Sequence, residues 1–129
     1  MSITQIPEDL LGKKVFVYLN LHKMKYSIRV MEGEHKGRVR HWDTSVYLKD
    51  VAPKISEKGR QRVIEEKCKN VHAGLVGYLT SPNNIEVSNR IRYNPYYCET
   101  FVYDNGDPYT GSDVALLSIV DESPIVKVG

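Results

Sequence analysis

The stretch Lys14-Val15-Phe16-Val17-Tyr18-Leu19-Asn20-Leu21-His22-Lys23-Met24-Lys25-Tyr26-Ser27-Ile28-Arg29-Val30 decides the fold class. Val15 to Leu19 is β-branched and aromatic, a composition that suits a packed, pleated surface. Asn20 to Lys23 offers a turn, and Lys25 to Val30 resumes strand character. Two such runs joined by a short connection form a hairpin, and a hairpin makes its strands antiparallel. Outward from it, Arg38 to Trp42 and Ser45 to Leu48 read as short strands around Asp43-Thr44. Ala73 to Leu79, Ile85 to Tyr93, Thr100 to Tyr103 and Val114 to Val120 continue the series, separated by turn-forming stretches such as Ser81-Pro82-Asn83-Asn84 and Asp104-Asn105-Gly106-Asp107-Pro108.

Helical character occurs once. Ser56 suits an N-cap, Glu57 sits in the first turn, and the segment reads as a basic helix over about 57–69 that ends at Asn70. Gly59 weakens it by about 1 kcal/mol relative to alanine. Ile64, Cys68 and Val71 fall on one stripe with Arg60, beside Val63, which supplies a face to dock on a sheet. The expected fold is therefore α+β, a mostly antiparallel sheet of about seven strands with one helix. A chain of 129 residues is expected to form a single domain over 1–129, with residues 1–12 as an arm and 123–129 as a peripheral tail.

Composition excludes several classes. The apolar share is 41% and the charged share 26%, ordinary for a globular chain and unlike a disordered one. The longest apolar runs are far too short for a membrane span, and the N-terminus lacks the layout of a signal peptide, so the expected setting is the cytoplasm. Cys68 and Cys98 then read as reduced thiols packed as small apolar residues. No cysteine or histidine spacing suits zinc, and Asp104, Asp107 and Asp113 lack the glutamate that completes a calcium loop, so no metal or cofactor is expected. No phosphate-binding glycine loop, dinucleotide fingerprint or nucleophile elbow occurs.

Charge is unevenly distributed. Residues 13–72 hold fifteen Lys and Arg against seven Asp and Glu, whereas residues 73–129 hold three against seven. A half-chain at +8 focuses positive potential toward phosphates. Three constellations carry that chemistry. The helix and its exit supply Lys58, Arg60, Arg62, Lys67, Lys69, Asn70 and His72, combining guanidinium forks with directional donors. The run Lys36-Gly37-Arg38-Val39-Arg40-His41-Trp42 interleaves basic and aromatic residues, with Arg38 and Arg40 on one face, as in sheets that bind single strands. Trp42, the sole tryptophan, is expected in the core more than on such a platform. Asn89-Arg90-Ile91-Arg92-Tyr93-Asn94-Pro95-Tyr96-Tyr97 presents tyrosines beside two arginines on a turn restricted by Pro95. Those tyrosines either stack on bases or cover the edge of the core. The catalytic alternative is a metal-independent nuclease using His41 and His72 as acid and base, with Lys69 or Arg60 stabilising the developing charge. No spacing enforces that pair, and the reading leans away from an enzyme.

Gly59-Arg60-x-Arg62-Val63, Lys69-Asn70-Val71-His72-Ala73, Tyr93-Asn94-Pro95-Tyr96 with Phe101-Val102, and Tyr18-x-Asn20-Leu21-His22-Lys23 with Ser27-x-Arg29 together resemble a family of small, uncharacterised proteins carried by phages and prophages. The resemblance runs from about Val15 to Tyr109 and implies expression inside a bacterial cell, without implying an activity. Arg60, Arg62, Lys69, Asn70, His72, Tyr93 and Asn94 match its polar pattern. With Arg38, Arg40 and Arg92 they form the candidate anion-binding set. The expected partner is nucleic acid or a nucleotide. The alternative is a protein-binding inhibitor of a host protein complex, either a defence complex, as anti-CRISPR proteins inhibit, or a regulatory one.

Overall fold

The computed structural model describes residues 10–20, 24–34, 36–67, 72–80, 89–118 and 124–127. Among these residues nine strands and one helix follow one another as β1 (Lys14–Asn20), β2 (Lys25–Val30), β3 (Val39–Asp43), β4 (Ser45–Ile55), α1 (Glu57–Glu66), β5 (Ala73–Thr80), β6 (Asn89–Arg92), β7 (Val102–Tyr103), β8 (Ser112–Ser118) and β9 (Ile125–Lys127). They form an antiparallel sheet in the order β3-β2-β1-β5-β4-β8-β9-β6-β7.

The hairpin lies where the sequence places it, with Asn20 opposite Lys25 and Val17 opposite Ile28. Alternation sends Val15, Val17 and Leu19 into the core and Phe16 and Tyr18 to the opposite face. Residues 39–55 behave as one long strand bent at Thr44, where the Asp43 carboxylate accepts the Ser45 N–H at 3.3 Å. The first part pairs with β2 and the second with β5 and β8. Because of that bend the sheet closes on itself. β2 and β4 are separated by β1 and β5, about 14 Å in a flat sheet, yet their Cα atoms approach within 8 Å. The concave side holds a continuous core that includes Val15, Val17, Ile28, Val46, Leu48, Leu75, Ile91, Ala115 and Val126, all fully buried.

Several expectations change. The described residues form nine strands rather than about seven. The stretch expected as a peripheral tail contains β9, which joins β8 to β6 and buries Val126 completely. Three residues after a proline are too few to show a period. The end of the expected arm is also packed, because Leu10 lies in the core and the Gly12 N–H donates to the Leu79 carbonyl. β4 runs seven residues further than Leu48, straight through Pro53. Its pairing with β8 ends at Val51, so a proline there takes no N–H from that side of the ladder.

α1 ends earlier than expected. Lys67, in the left-handed conformation at φ 52°, terminates it, and Cys68 to Val71 lie outside the described residues. The chain leaves the sheet at Ile55 and must return at Ala73, directly opposite. The Ser56 N–H already donates to the His72 carbonyl at 2.7 Å, which limits how far the helix can run. Cut there, α1 carries Lys58, Arg60 and Arg62 against Glu57, Glu65 and Glu66, so it is charge-balanced rather than basic. Its buried residues are Gly59 and Val63. Ile64, which the apolar stripe had placed with Arg60 on the docking face, is only half-buried. Gly59 is needed there, because a Cβ at that position would stand 2.5 Å from the His72 Cβ. None of the described residues forms a helix long and apolar enough to cross a membrane.

Tyr109 is almost completely buried and meets Tyr103 edge to face. Its hydroxyl lies 2.7 Å from Ser112 Oγ, which itself donates to the Val114 carbonyl, so Tyr109 is the donor. Burial pushes its pKa up to about 12, against a smaller pull from the Ser112 bond. The folded state thus keeps a proton that the unfolded chain loses near pH 10. Stability contributed below pH 10 is expected to fall by about 2–3 kcal/mol as pH rises through 12. Urea midpoints across that range should show the fall, and Tyr109→Phe should flatten it.

Candidate nucleic-acid interface

The structure divides the expected site residues into separate groups. Arg38 is exposed just before β3, and its carbonyl accepts the Val30 N–H. Arg40 is the extra residue of a β-bulge, because Ile28 pairs with His41 and Arg29 with Val39. The bulge breaks the simple alternation expected for Arg38 and Arg40. Arg62 is exposed and pairs with Glu66 at 3.4 Å, and Arg92 is exposed and pairs with Asp104 at 3.3 Å. Lys69 and Asn70 lie outside the described residues. The two histidines have different companions. His41 Nε2 lies 3.4 Å from an Asp43 carboxylate oxygen, and His72 Nε2 lies 2.7 Å from the Tyr93 hydroxyl.

Arg60, His72, Tyr93 and Asn94 do come together, as a clamp between α1 and the loop after β6. Arg60 Nε donates to the carbonyls of Pro95 and Cys98, both at 3.1 Å, and one terminal nitrogen meets Glu57 at 3.0 Å. The Asn94 side chain accepts the Tyr96 N–H, its carbonyl accepts from Tyr97 and Cys98, and the Tyr96 hydroxyl donates to the Val63 carbonyl. Tyr93 packs on Phe101 and on the core. Burial raises the pKa of its hydroxyl, partly countered by the Arg60 guanidinium. The clamp holds the loop rigidly and leaves Tyr97 85% exposed. With Nε shared by two carbonyls and a side chain only 13% exposed, Arg60 serves the fold.

The convex face of the sheet carries a second group, most of which the sequence analysis did not single out. Phe16 and Arg29 are cross-strand partners, as are Tyr18 and Ser27, and Ser27 pairs in turn with Trp42. On the other side Phe16 faces Val76, Tyr78 stands between Lys14 and Lys49, and Lys54 faces Gly74. The Arg29 guanidinium carbon lies 5.6 Å from the centre of the Tyr18 ring and 6.0 Å from that of Phe16. Lys54 Nζ lies 5.9 Å from the Phe16 ring. Phe16 is consequently only 7% exposed although it points away from the core, covered by the stems of the cations stacked on it. Gly74 is required beneath it, because a Cβ there would meet the Phe16 ring at 2.8 Å.

The outward strand positions of β1, β2 and β5 hold Lys14, Lys25 and Arg29 and no carboxylate. Among the described residues Arg29 has no ion-pair partner, and its buried Nε has no hydrogen-bond acceptor. Trp42, expected in the core, is 39% exposed, as is Tyr78. The signal for this group was present in the hairpin. Phe16 and Tyr18 at spacing i, i+2 share a face, and the register of a short hairpin brings Arg29 beside them. Among the described residues no cluster of three His, Cys, Asp or Glu side chains is placed to hold a metal ion.

Fold and face together define a small α+β protein whose sheet encloses its own core and holds Arg29 and Lys54 against aromatic rings on its outer surface. Residues 9–122 match the model of the family described as the Mycobacterium phage L5 gene 82 protein, and the chain belongs to that family. A relative from Mycobacterium phage L5, named gene 82 protein, is 41% identical over 114 residues, which cover 81% of this chain and 90% of that one. The match extends beyond the stretch from Val15 to Tyr109 that carried the resemblance. No solved structure matches.

The clamp makes a stability prediction. Arg60→Lys retains the charge but has no N–H at the Nε position to share between the Pro95 and Cys98 carbonyls while a second nitrogen meets Glu57. It should lower unfolding stability by about 2 kcal/mol, read as a reduced urea midpoint with an unchanged denaturant slope.

Proposed function

We propose that this phage-family protein binds nucleic acid through the convex face of its sheet. The observation that carries the reading is Arg29, a guanidinium held against two aromatic rings with no carboxylate partner among the described residues. An arginine in that state keeps donors for an incoming phosphate, and its partial burial strengthens the bond it would form. Lys54 reaches the same Phe16 ring, and Lys14, Lys25 and Lys49 stand further out on this face. A polymer suits this surface better than a free nucleotide, because small ligands bind in concave sites that bury most of their area. The basic, aromatic pattern expected around Arg38 and Trp42 contributes through Trp42, which lies in the same cross-strand row as Tyr18, two strands away.

The protein-directed alternative has an observation of its own in Tyr97, an exposed aromatic on a loop made rigid by Asn94 and Arg60. Aromatic anchors of this kind are common at the centre of protein interfaces. The two readings separate by mutation. Arg29→Ala combined with Lys54→Ala should weaken binding of a labelled oligonucleotide at least about tenfold and make the salt dependence shallower by about one to two. Tyr97→Ala should leave that affinity unchanged. Fluorescence polarisation against salt concentration, with circular dichroism to confirm folding, reads all three. Full affinity in the folded double variant would overturn the proposal.

A further inference from the structure

We infer that the ligand is single-stranded nucleic acid, its bases stacking on Trp42 and Tyr78 while Arg29 and the lysines take its phosphates. This inference rests on the nucleic-acid reading above and specifies the form of the polymer. Three features of the face carry it. The first is where its exposed rings stand. Trp42 is at one end of the row Trp42–Ser27–Tyr18, and Tyr78 occupies the row Lys14–Tyr78–Lys49. The two rings, each 39% exposed, are separated by three strand spacings across the sheet and four residues along it. That is about 20 Å on the diagonal.

The second feature is what lies between and beside those rings. Arg29, stacked on Phe16 and Tyr18, occupies the middle of the diagonal, and Tyr78 has a lysine on each side. Ring, cation, ring is the order a single strand requires if bases and phosphates are to be met in turn. The span accommodates roughly four nucleotides, close to the smallest footprint of a sheet that binds single strands.

The third feature is shape. The face lies outside a sheet that curls around its own core, so it is convex and offers no groove for a duplex to enter. In a duplex the base faces are already stacked on one another. Only the phosphates would be available, and Trp42 and Tyr78 would contribute nothing. In a single strand each base stacked on an aromatic side chain adds roughly five- to a hundredfold in affinity.

Trp42 is the only tryptophan in the chain, so the intact protein reports on its own binding. The experiment titrates it with a ten-nucleotide DNA, the RNA of the same sequence, and the blunt duplex, following tryptophan emission and polarisation at two salt concentrations. Quenching by single strands alone, with affinity at least about tenfold above that for the duplex, is the expected result. The RNA and DNA arms show whether the sugar contributes. Tyr78→Ala should lower single-strand affinity severalfold with an unchanged salt slope, whereas Lys49→Ala should reduce the slope. Duplex binding as tight as single-strand binding, with emission unmoved and the salt dependence retained, would overturn the single-strand inference and leave the nucleic-acid reading intact. Failure of all three ligands to bind overturns both.

Discussion

The bend at Asp43–Ser45 is the constraint on which the molecule depends. Among the described residues one ten-residue helix accompanies a nine-stranded sheet and cannot cover one side of it, so the sheet covers its own apolar side. It does so because residues 39–55 serve two neighbourhoods, pairing with β2 before the bend and with β5 and β8 after it. The buried Asp43 carboxylate satisfies the Ser45 N–H at the corner, where an unpaired backbone donor would be costly. The bulges at Arg40 and Asp50 supply further twist. Val15, Leu48, Ile91 and Val126 come from widely separated parts of the chain and share one core because of this closure.

Closure also decides which surface remains for function. Where the core is on the concave side, every second residue of β1, β2, β4 and β5 stands on the convex side. The helix lies across the Ile55–Ala73 end, fixed by Ser56, Gly59 and the Arg60 clamp. Trp42 and Tyr78 stay exposed on that convex side. It carries cations stacked on rings instead of ordinary solvated polar residues. That accounts for the apolar run from Val15 to Leu19, which has no polar alternation. Its inward residues fill the core, and its outward aromatics form the base on which Arg29 and Lys54 rest.

The antiparallel α+β character was legible in the hairpin, in the turn-rich spacing of the later strands and in the single capped helix. Membership of a phage family was legible in the Arg60, His72 and Tyr93–Tyr96 motifs. What those motifs mark is less legible. Arg60, Tyr93 and Asn94 look like exposed donors in sequence, yet their partners are the carbonyls of Pro95 and Cys98, the ring of His72 and the backbone of Tyr96. The two carbonyl contacts of Arg60 reach across more than thirty residues and leave no local trace. The tail showed the opposite error, since β9 is too short to have a readable period and owes its order to β8 and β6.

By itself the sequence determined the antiparallel hairpin, the Ser56 cap and the excess of positive charge in the first half of the chain, because each depends on residues close to one another. Only the tertiary structure decided which of those charges face a common side, where the helix stops, and that Arg60 is a clamp while Arg29 is a cation without a carboxylate partner among the described residues. Burial and ion pairing are set by whichever strand or loop arrives alongside. That neighbour is chosen by the closure of the sheet, and no window of local sequence contains it.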